Sequence, residues 1–544
     1  MTQPILGIDL GTTNSAVAII DEFDQPKVLP NADGDPTTPS VVFFESADAI
    51  IVGKQAKNMS RIQPDDTEEL IKRAMGETHT FTHFGTPHTA ESISSLILKE
   101  LVRGAFENLQ ETPTAPIRVV ITVPAYFGMQ EKQATRVAAE IAGLEVIDLI
   151  PEPVAAALAY GARHGSDPKT IFVYDLGGGT FDTTILRVQP DQLEVLIVDG
   201  HHRLGGADLD QALIDYVLGE FKAQASPDSD PEDDEVFLSG LALDVEEAKK
   251  TLSSRQTMTM ALSFAGSALK LELTREKLEE LTAGYIQQTM DIVERTLAAG
   301  REKVPGLVID EVLLVGGSSK MPIIKQKLEE LIGVAPVSNE PDLSVAKGAA
   351  IYAKLEGDNP KPIGFDDDDT TTGDGTSDEG GSSGTGPRKL PGSSGRVVNV
   401  LPRAFGILTI NTDVTPYRPE VHWLVPAQSS LPVVTISERF STVSDDTRSI
   451  PIQLFEQGTP VPSFRPEDNK EVTPPSGAEI TGLPGLPKGS PIDVEIDISA
   501  DGLAHVSAFE PTTGQKLEIP VLIAGLEQKT IDDLRDLVGG ISTS

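Results

Sequence analysis

The sequence predicts an α/β chain of two similar lobes, followed by an all-β domain. Segments with strand and helix patterns alternate along residues 1–356, and this alternation is typical of an α/β architecture. One motif, an apolar run that ends in an aspartate and a glycine-containing turn, occurs twice in this region. Beyond residue 396, short runs of Val, Ile, Leu and Thr are separated by Pro and Gly, which is typical of an antiparallel β-sandwich.

The clearer copy of the motif spans residues 171–186, IFVYDLGGGTFDTTIL. An apolar run, a glycine-rich bend and a second β-prone run predict a hairpin. The three glycines lack Cβ atoms, so their backbone N–H groups can approach a phosphate closely. Asp175 and Asp182 flank the bend, where carboxylates could hold a hydrated cation against that phosphate.

The other copy lies at residues 5–20, ILGIDLGTTNSAVAII, and aligns with the first without a gap. Asp9 falls on Asp175, and Gly11 falls on Gly177. The spacing is too long for a solenoid repeat, so we expect two similar domains that face each other. Either stretch alone would fit an ordinary hairpin, because short motifs often match by chance. Two copies, each with an aspartate before the turn and threonines after it, argue against that simpler interpretation.

Composition limits the partners and the chemistry. At 544 residues, the chain is long enough for three or four domains of roughly 100–200 residues each. Its net charge of −39 argues against nucleic acid or an anionic membrane as a partner. Cysteine is absent, which excludes disulfides, cysteine-ligated metals and a thiol nucleophile. The first residues lack a signal-peptide pattern and no apolar run reaches about 18 residues, so we expect a cytoplasmic protein without a membrane span.

Lobe I is expected to occupy about residues 1–168. Hydrophobic periodicity and breaker residues predict strands within 5–20 and 27–53, a short helix at 66–75, a loop at 76–88, a helix at 89–109, a strand at 117–123, a helix at 129–142, a β-run, and a helix at 154–161. His79, His83 and His88 in the predicted loop suggest a metal site. The acidic ligands and spacing of a zincin helix are missing, so a plain loop is the preferred interpretation.

Lobe II, about residues 169–342, repeats the alternation. The same criteria predict strands from 171 to 199, a helix at 207–222, an acidic loop at 226–235, a helix at 240–252, strands at 257–263 and 269–273, a helix at 276–300, a strand at 311–315, and helices at 322–332 and 342–354.

The composition changes after residue 357. Residues 357–396 are rich in Gly, Ser, Thr, Asp and Pro and cannot bury enough apolar surface to offset chain entropy, so we expect an acidic flexible linker. Residues 397–525 carry the evenly spaced β-prone runs, with a strong hairpin turn at Asp501-Gly502. Residues 526–544 are expected to form one short helix and a tail.

Taken together and in this order, the motifs resemble the heat-shock 70 kDa (DnaK-type) chaperone family. The matching runs are GIDLGTTNS (7–15), VITVPAYF (120–127), EPVAAALAYG (152–161), DLGGGTFD (175–182), AKKTLSS (248–254), VGGSSKMP (315–322) and DGLAHVSA (501–508). The likeness covers nearly all of 1–356 and, more loosely, 397–525. Single motifs are shared with actin-like and sugar-kinase folds, but the full set followed by a β domain is specific to the chaperones.

The resemblance implies an actin-like, duplicated ribonuclease H-like ATPase that binds ATP or ADP with Mg²⁺. Asp9 and Asp175 would hold the metal largely through its waters, and Asp182 would support that shell. Lys72 would neutralise charge on the transferred phosphoryl group, and Glu152 would orient the attacking water. These roles are what phosphoryl transfer needs. Without the family match, a solvated lysine and a helix-capping carboxylate would be the simpler interpretations.

Further positions match the family's nucleotide contacts. The phosphates would be cradled by Gly11, Thr12, Thr13 and Asn14 in one turn and by Gly177, Gly178, Gly179 and Thr180 in the other. The remaining matches are Gly205, Gly206, Glu246, Lys249, Lys250, Ser253, Gly316, Gly317, Ser318, Lys320 and Asp342. Lys249 and Lys250 also suit an anionic nucleotide by charge alone. Lys320 stands where the family often has an arginine, which would stack on adenine better.

In the family, ATP docks the β domain on the ATPase lobes and loosens its grip on an extended polypeptide, and hydrolysis tightens that grip. The client is held by added-strand backbone contacts and a pocket for an apolar side chain. Pro124 would belong to the relay between the domains. The resemblance therefore implies unfolded or extended polypeptides as clients, and allows a nucleotide-exchange factor.

Several departures from the family pattern matter. Asp148 and Pro151 replace the basic and amide residues that meet a J-domain co-chaperone, so that partner is in doubt. The apolar interdomain linker is reduced to residues 397–400, which follow the acidic insert. This reduction could weaken the coupling between the ATPase lobes and the β domain. Arg439 precedes Phe440-Ser-Thr, where the family carries an apolar residue of the client pocket. The chain ends after about one helix, so a helical lid is expected to be absent and client exchange to be fast.

Two alternatives remain open from the sequence. The chain could be an actin-like ATPase switch or scaffold whose β domain binds one dedicated partner. It could also be a metabolite kinase on the same fold, although nothing marks an acceptor pocket with a catalytic base. A peptide-stimulated ATPase assay separates the chaperone from the scaffold, and phosphoryl transfer to a metabolite would support the kinase.

Overall fold

The computed structural model describes residues 3–164, 168–189, 192–357, 396–474, 477–520 and 528–543. Most of the predicted linker 357–396 therefore lies outside the described residues. The helices are α1 (Lys54–Met59), α2 (Ala90–Leu109), α3 (Met129–Ile141), α4 (Glu152–His164), α5 (Gly206–Ala225), α6 (Glu235–Ser254), α7 (Arg275–Lys303), α8 (Pro322–Ile332), α9 (Ser344–Gly357) and α10 (Gln528–Gly540). Short 3₁₀ turns lie at Pro64–Asp66, Ile71–Ala74, Pro231–Asp233, Gly317–Lys320 and Pro466–Asp468.

Each lobe is built on one mixed sheet with the same strand order. In lobe I the order is Leu144–Pro151, Ile117–Val123, Leu6–Asp9, Asn14–Ile20 and Pro26–Leu29, with Thr38–Pro39 paired to Asn14–Ile20. In lobe II the order is Val337–Ser338, Glu311–Val315, Lys169–Leu176, Phe181–Gln189 and Gln192–His201. In both sheets the first chain strand pairs antiparallel with the next and parallel with a later one. The repeat that the sequence motifs indicate is therefore also a repeat of sheet topology. The predicted two-lobed α/β class is confirmed.

The lobes share a core at the base of the cleft between them. Helices α4 and α9 pack against each other there, and their cluster combines Val120 of lobe I with Val173 of lobe II. The helices cross closely, because a Cβ on Gly348 would lie 1.7 Å from the Ala155 carbonyl oxygen. The two lobes are therefore in close backbone contact at this crossing.

The predicted loop at 76–88 is wrong. Thr80–His83 and Thr86–Thr89 form a hairpin in which His83 and His88 are buried against the Phe44 ring. Aromatic packing thus orders a segment whose composition indicates a loop.

Two smaller sheets complete the lobes. In lobe I, Thr67–Glu68, Val42–Ser46, Ala49–Val52 and the C-terminal Ser542–Thr543 form a sheet, and in lobe II, Thr257–Phe264 pairs with Ser267–Thr274.

The β domain consists of two four-stranded sheets that enclose one core. One has the order Arg418–Val425, Phe405–Asn411, Leu454–Glu456 and Lys470–Glu471, the other Val433–Ser441, Pro491–Ile498, Ala504–Glu510 and Gln515–Pro520, and Ile450–Pro451 pairs with Glu479–Ile480. Gly502 has φ +86° in the turn predicted at Asp501-Gly502. The all-β part of the fold prediction is confirmed.

The β domain is docked on both lobes. The strand Arg396–Val398 pairs parallel with Gln192–His201 at the edge of the lobe II sheet, and Lys132 Nζ of α3 donates to the Asp501 carbonyl oxygen at 3.1 Å. Helix α10 packs on α2 and α3 and adds Val538, which is fully buried, to the lobe I core. Among the described residues, no helix is both long and apolar enough to cross a bilayer.

Candidate nucleotide site

The two repeated hairpins face each other across a cleft between the lobes. Asp9 ends the first strand of one hairpin, opposite Ala16, and Asp175 lies at the same place in the other, opposite Asp182. Both aspartates lie on the wall of a cavity of about 910 Å³. The gapless alignment of the motifs thus corresponds to pseudo-symmetric positions at one site.

Glycines allow the two turns to meet. A Cβ on Gly178 would lie 2.3 Å from Thr13 Cγ2, and one on Gly179 would lie 2.4 Å from Thr12 Cγ2. Real Cβ atoms do not tolerate such distances, so any other residue would push the turns apart. Gly178 also lines the cavity, and its lack of a Cβ lets an anion in the cavity approach the backbone closely.

The positive charge near the buried carboxylates around the cleft is not enough to hold them in their ionised forms. Burial raises the pKa of Asp9 to about 7, with repulsion from Glu152 as the next cause. Burial and then Glu152 also raise the pKa of Asp182 to about 8, and they raise the pKa of Asp175 well above its usual range. A cation bound near these groups would favour their ionised forms.

The donor set fits Mg²⁺ better than a softer metal, because the available ligands are carboxylate oxygens. Within the part of the chain that the structure describes, no three acidic or histidine side chains converge to hold a metal ion by themselves. A Mg²⁺ ion here would therefore keep several waters or phosphate oxygens as ligands, which is its usual preference.

Lys72 and Glu152 form a buried ion pair beside these aspartates. Lys72 lies on the 3₁₀ turn Ile71–Ala74, and Glu152 is the first residue of α4. Lys72 Nζ donates to Glu152 Oε1 at 2.6 Å, with 5% and 11% of the two side chains exposed. The lysine is therefore neither solvated nor distant from the carboxylates, in contrast to the simpler interpretation.

Charged residues of α6 line the lobe II side of the cleft. Lys249 Nζ donates to the Gly206 carbonyl oxygen at 2.8 Å and to Asp210 at 2.6 Å. Glu246 pairs with Lys250 at 2.7 Å and with Lys57 of lobe I at 2.5 Å. The second pair bridges the lobes across the mouth of the cleft, so it must respond to any change in lobe separation.

The structure brings most of the predicted residues to one cavity. Its walls include Asp9, Gly11, Thr12, Thr13, Asn14, Lys72, Glu152, Asp175, Gly177, Gly178, Thr180, Gly206, Glu246, Lys249, Lys250, Ser253, Gly316, Gly317, Ser318, Lys320 and Asp342. Gly179, Asp182 and Gly205 do not line it. Asp182 is buried behind the wall, where it accepts the Tyr126 N–H at 2.8 Å.

Sequence reasoning missed some residues of the cleft. Lys57, Glu69 and Asp210 line the cavity, and burial raises the pKa of Glu69 and of Asp210. They lie outside the repeated motifs, so no local pattern identified them. One signal could have identified Asp210 as a cleft residue. It lies four residues after the Gly205-Gly206 turn, on the face of α5 toward the cleft.

Comparison with known proteins identifies the family. The sequence matches the family described as Hsp70 protein over residues 5–86 and 79–369. It is 33% identical over 542 residues to the chaperone protein DnaK of Thermosipho africanus (strain TCF52B), and equally to that of Thermosipho melanesiensis (strain DSM 12029 / CIP 104789 / BI429). Each alignment covers 98% of this chain and 82% of the relative. By the extent of these matches, the chain belongs to the Hsp70 family.

Proposed function

We propose that the cleft binds ATP with Mg²⁺, and that hydrolysis there controls how the β domain binds and releases extended polypeptides. As a member of the Hsp70 family, the chain is an ATP-dependent chaperone with ATPase activity. One observation carries the assignment to particular residues: Asp9 and Asp175 occupy equivalent places on facing hairpins of one cleft.

The Lys72–Glu152 pair gives the cleft a way to respond to the nucleotide. A γ-phosphate between the turns would attract Lys72, because the phosphate carries more charge than one carboxylate. Glu152 would then be released from the lysine and could accept a hydrogen bond from a water beside the phosphate. The same movement would bring the Lys72 ammonium group to the γ-phosphate, where negative charge develops during the reaction.

The proposed client surface lies on the β domain. Ile410 and Val443 are 39% and 37% exposed there and would contact apolar side chains of an extended polypeptide. Arg439 is held by Asp493 through two hydrogen bonds of 2.6 and 2.9 Å. Arg439 and Phe440 are consecutive residues of one strand, so their side chains point to opposite faces of the sheet, and the charge of Arg439 faces away from Phe440.

Titration calorimetry tests nucleotide binding. The purified full chain should bind MgATP and MgADP, and Asp9→Asn or Asp175→Asn should abolish Mg²⁺-dependent tightening of ATP binding. Asp413→Asn, at an exposed turn of the β domain, is the matched control and should bind like the wild type. Wild-type protein that takes up neither nucleotide would falsify the proposal.

A turnover assay tests the client. Short apolar peptides or a denatured protein should raise the ATPase rate of the full chain. If they leave it unchanged while one native protein raises it, the scaffold interpretation replaces the chaperone.

Other partners and the location stay proposals. A nucleotide-exchange factor is proposed from the family alone. A J-domain partner stays doubtful, because Asp148 is buried and accepts the Tyr352 hydroxyl at 2.7 Å, whereas a co-chaperone contact needs an accessible surface. We propose a cytoplasmic location, and cell fractionation tests it.

A further inference from the structure

The phosphate that ATP hydrolysis produces would form at the inner end of the cleft. Lys72 and Asp175, which lie there, are each 5% exposed. The ion pair between Lys57 and Glu246 spans the mouth of the cleft, and 20% and 19% of its side chains are exposed. The ADP that remains after hydrolysis would therefore stand between the released phosphate and the mouth. Either ADP leaves first, or the phosphate has another way out.

A second cavity of about 920 Å³ lies behind the inner end of the cleft. Its walls come from all three parts of the molecule. Lobe I supplies Arg73 and Phe127, lobe II supplies His202 and Arg295, and the β domain supplies Arg403. The space is large enough to accept a phosphate ion together with its water.

Two neighbouring side chains of lobe I stand between this cavity and the cleft. Lys72 lines both of them. Arg73 extends the partition, because its Nε donates to the carbonyl oxygen of Gly179 at 3.1 Å and its Nη2 donates to Asp208 at 2.6 Å. Both side chains belong to the 3₁₀ turn Ile71–Ala74. A change of their rotamers would connect the two spaces without any change of fold.

The charges on the cavity walls suit the passage of an anion better than its storage. Arg295 is held by Asp199 through hydrogen bonds of 2.6 and 2.9 Å, and Arg403 Nη1 lies 3.4 Å from Glu456 Oε2. Basic and acidic side chains occur in similar numbers among the described residues that line the cavity. A conducting route needs sites that an ion can enter but that do not retain it, and cations with carboxylate partners meet that need.

The far side of the cavity reaches solvent. His201 and His202 line it on lobe II, and Glu77 and Thr78 line it on lobe I. All four residues are exposed, whereas Lys72 at the other end is buried. The cavity therefore extends from the inner end of the cleft to the surface of the molecule.

We propose that this second cavity is the exit route for the phosphate that ATP hydrolysis releases. The phosphate leaves past Lys72 and Arg73 while ADP still occupies the cleft. The inference rests on the proposed function of the cleft, and it concerns the path of one product after the bond to ADP has been broken. The alternative path runs through the mouth of the cleft, and it requires ADP to leave first.

A plug in the second cavity separates the two paths. The chain has no cysteine, so a bulky aromatic maleimide will react only with an introduced thiol. His202→Cys and Gln288→Cys place that thiol on two different elements of the cavity wall. Ser263→Cys, at an exposed position of a lobe II strand outside the described walls of both cavities, is the matched control. Each full-length variant is labelled after its ATP turnover has been confirmed.

The experiment follows a single turnover of MgATP with three readouts: acid quench for hydrolysis, a fluorescent phosphate-binding protein for free phosphate, and a fluorescent nucleotide for the release of ADP. In wild type and in labelled Ser263→Cys, free phosphate should appear as fast as hydrolysis proceeds and before ADP leaves. In labelled His202→Cys and Gln288→Cys, release of phosphate should become about tenfold slower than hydrolysis or more, because product release then limits turnover. Hydrolysis in the same protein is the reference, so a changed hydrolysis rate does not imitate the effect.

Free phosphate that keeps pace with hydrolysis in both labelled cavity variants would overturn the inference. So would an equal delay in labelled Ser263→Cys, or wild-type protein in which phosphate waits for ADP. Wild type that does not hydrolyse ATP would instead refute the proposed function, so the two failures are distinguishable.

Discussion

Gly178 shows how much of the cleft depends on one missing methyl group. Its hypothetical Cβ would lie 2.3 Å from Thr13 Cγ2, so Gly178→Ala must separate the two turns. We expect ATP affinity to fall about tenfold or more, because overpacking typically costs about 1–3 kcal/mol. Gly161→Ala, where no atom lies within 4 Å of the added Cβ, is the control in the same calorimetric titration. Equal affinities would contradict the close approach of the turns.

His88 makes the stability of lobe I depend on pH. Burial, and next repulsion from His83, lowers the pKa of His88 to about 4. The unfolded chain binds a proton near pH 6.5, whereas the folded chain does so only near the lower value. The stability that neutral His88 contributes is therefore fully present above the unfolded pKa. It is lost as the pH falls from that value toward the folded pKa of about 4.

This linkage can be measured by urea unfolding. Between about pH 7.5 and 5, the titration of His88 should lower the unfolding free energy of the wild type, relative to His88→Phe, by roughly 1–2 kcal/mol. His88→Phe keeps an aromatic ring against Phe44 but cannot titrate, whereas the other titrating groups are common to both proteins and cancel in the difference. His79→Phe, at an exposed position, should behave like the wild type. Parallel pH profiles of wild type and His88→Phe would count against a buried neutral His88.

At the scale of elements, α10 is a structural part of lobe I, although it follows the β domain in sequence. Ile531, Leu534 and Val538 are buried in the lobe I core, and Lys99 Nζ of α2 donates to the Val538 carbonyl oxygen at 2.9 Å. Residues 528–543 of the helix and tail expected at 526–544 are thus attached to lobe I, and the strand Ser542–Thr543 continues that attachment. Whether clients exchange fast, as the expected absence of a lid implies, stays a prediction.

Val538→Asp tests this role of α10. Burying an unpaired carboxylate should lower the unfolding free energy of lobe I by about 3 kcal/mol or more. Gly539→Asp places the same carboxylate one residue later, where the added Cβ meets no atom within 4 Å, and should cost little. Equal denaturation midpoints for the two variants would show that α10 does not contribute to the fold of lobe I.

At the scale of the whole molecule, the reduced interdomain linker at residues 397–400 still packs on lobe II. Val397 is 6% exposed and pairs with Leu193 at the edge of the lobe II sheet. Gln428 of the β domain reinforces this edge, because its side chain accepts the Val198 N–H at 3.0 Å and donates to the Val198 carbonyl oxygen at 2.8 Å. The long acidic insert therefore does not prevent the domains from packing together.

Val397→Asp should release this contact. The substitution places a charge in an apolar cluster, so the docked strand and then the β domain should separate. We expect a larger radius of gyration in small-angle X-ray scattering. Val434→Asp, on a 70% exposed residue of the β domain, should leave the radius unchanged. An unaltered radius in Val397→Asp would mean that other contacts suffice for docking.

The sequence by itself determined the duplicated α/β lobes and the β domain, and it placed Asp9 and Asp175 at equivalent turns. Those features follow from periodicity and from short motifs, which are local properties of the chain. Only the tertiary structure decided that Glu456 of the β domain accepts the Met129 N–H at the start of α3 and that α10 completes the core of lobe I. These pairings join residues far apart in the chain, and each partner alone has an ordinary composition, so no local pattern marks them until the chain has folded.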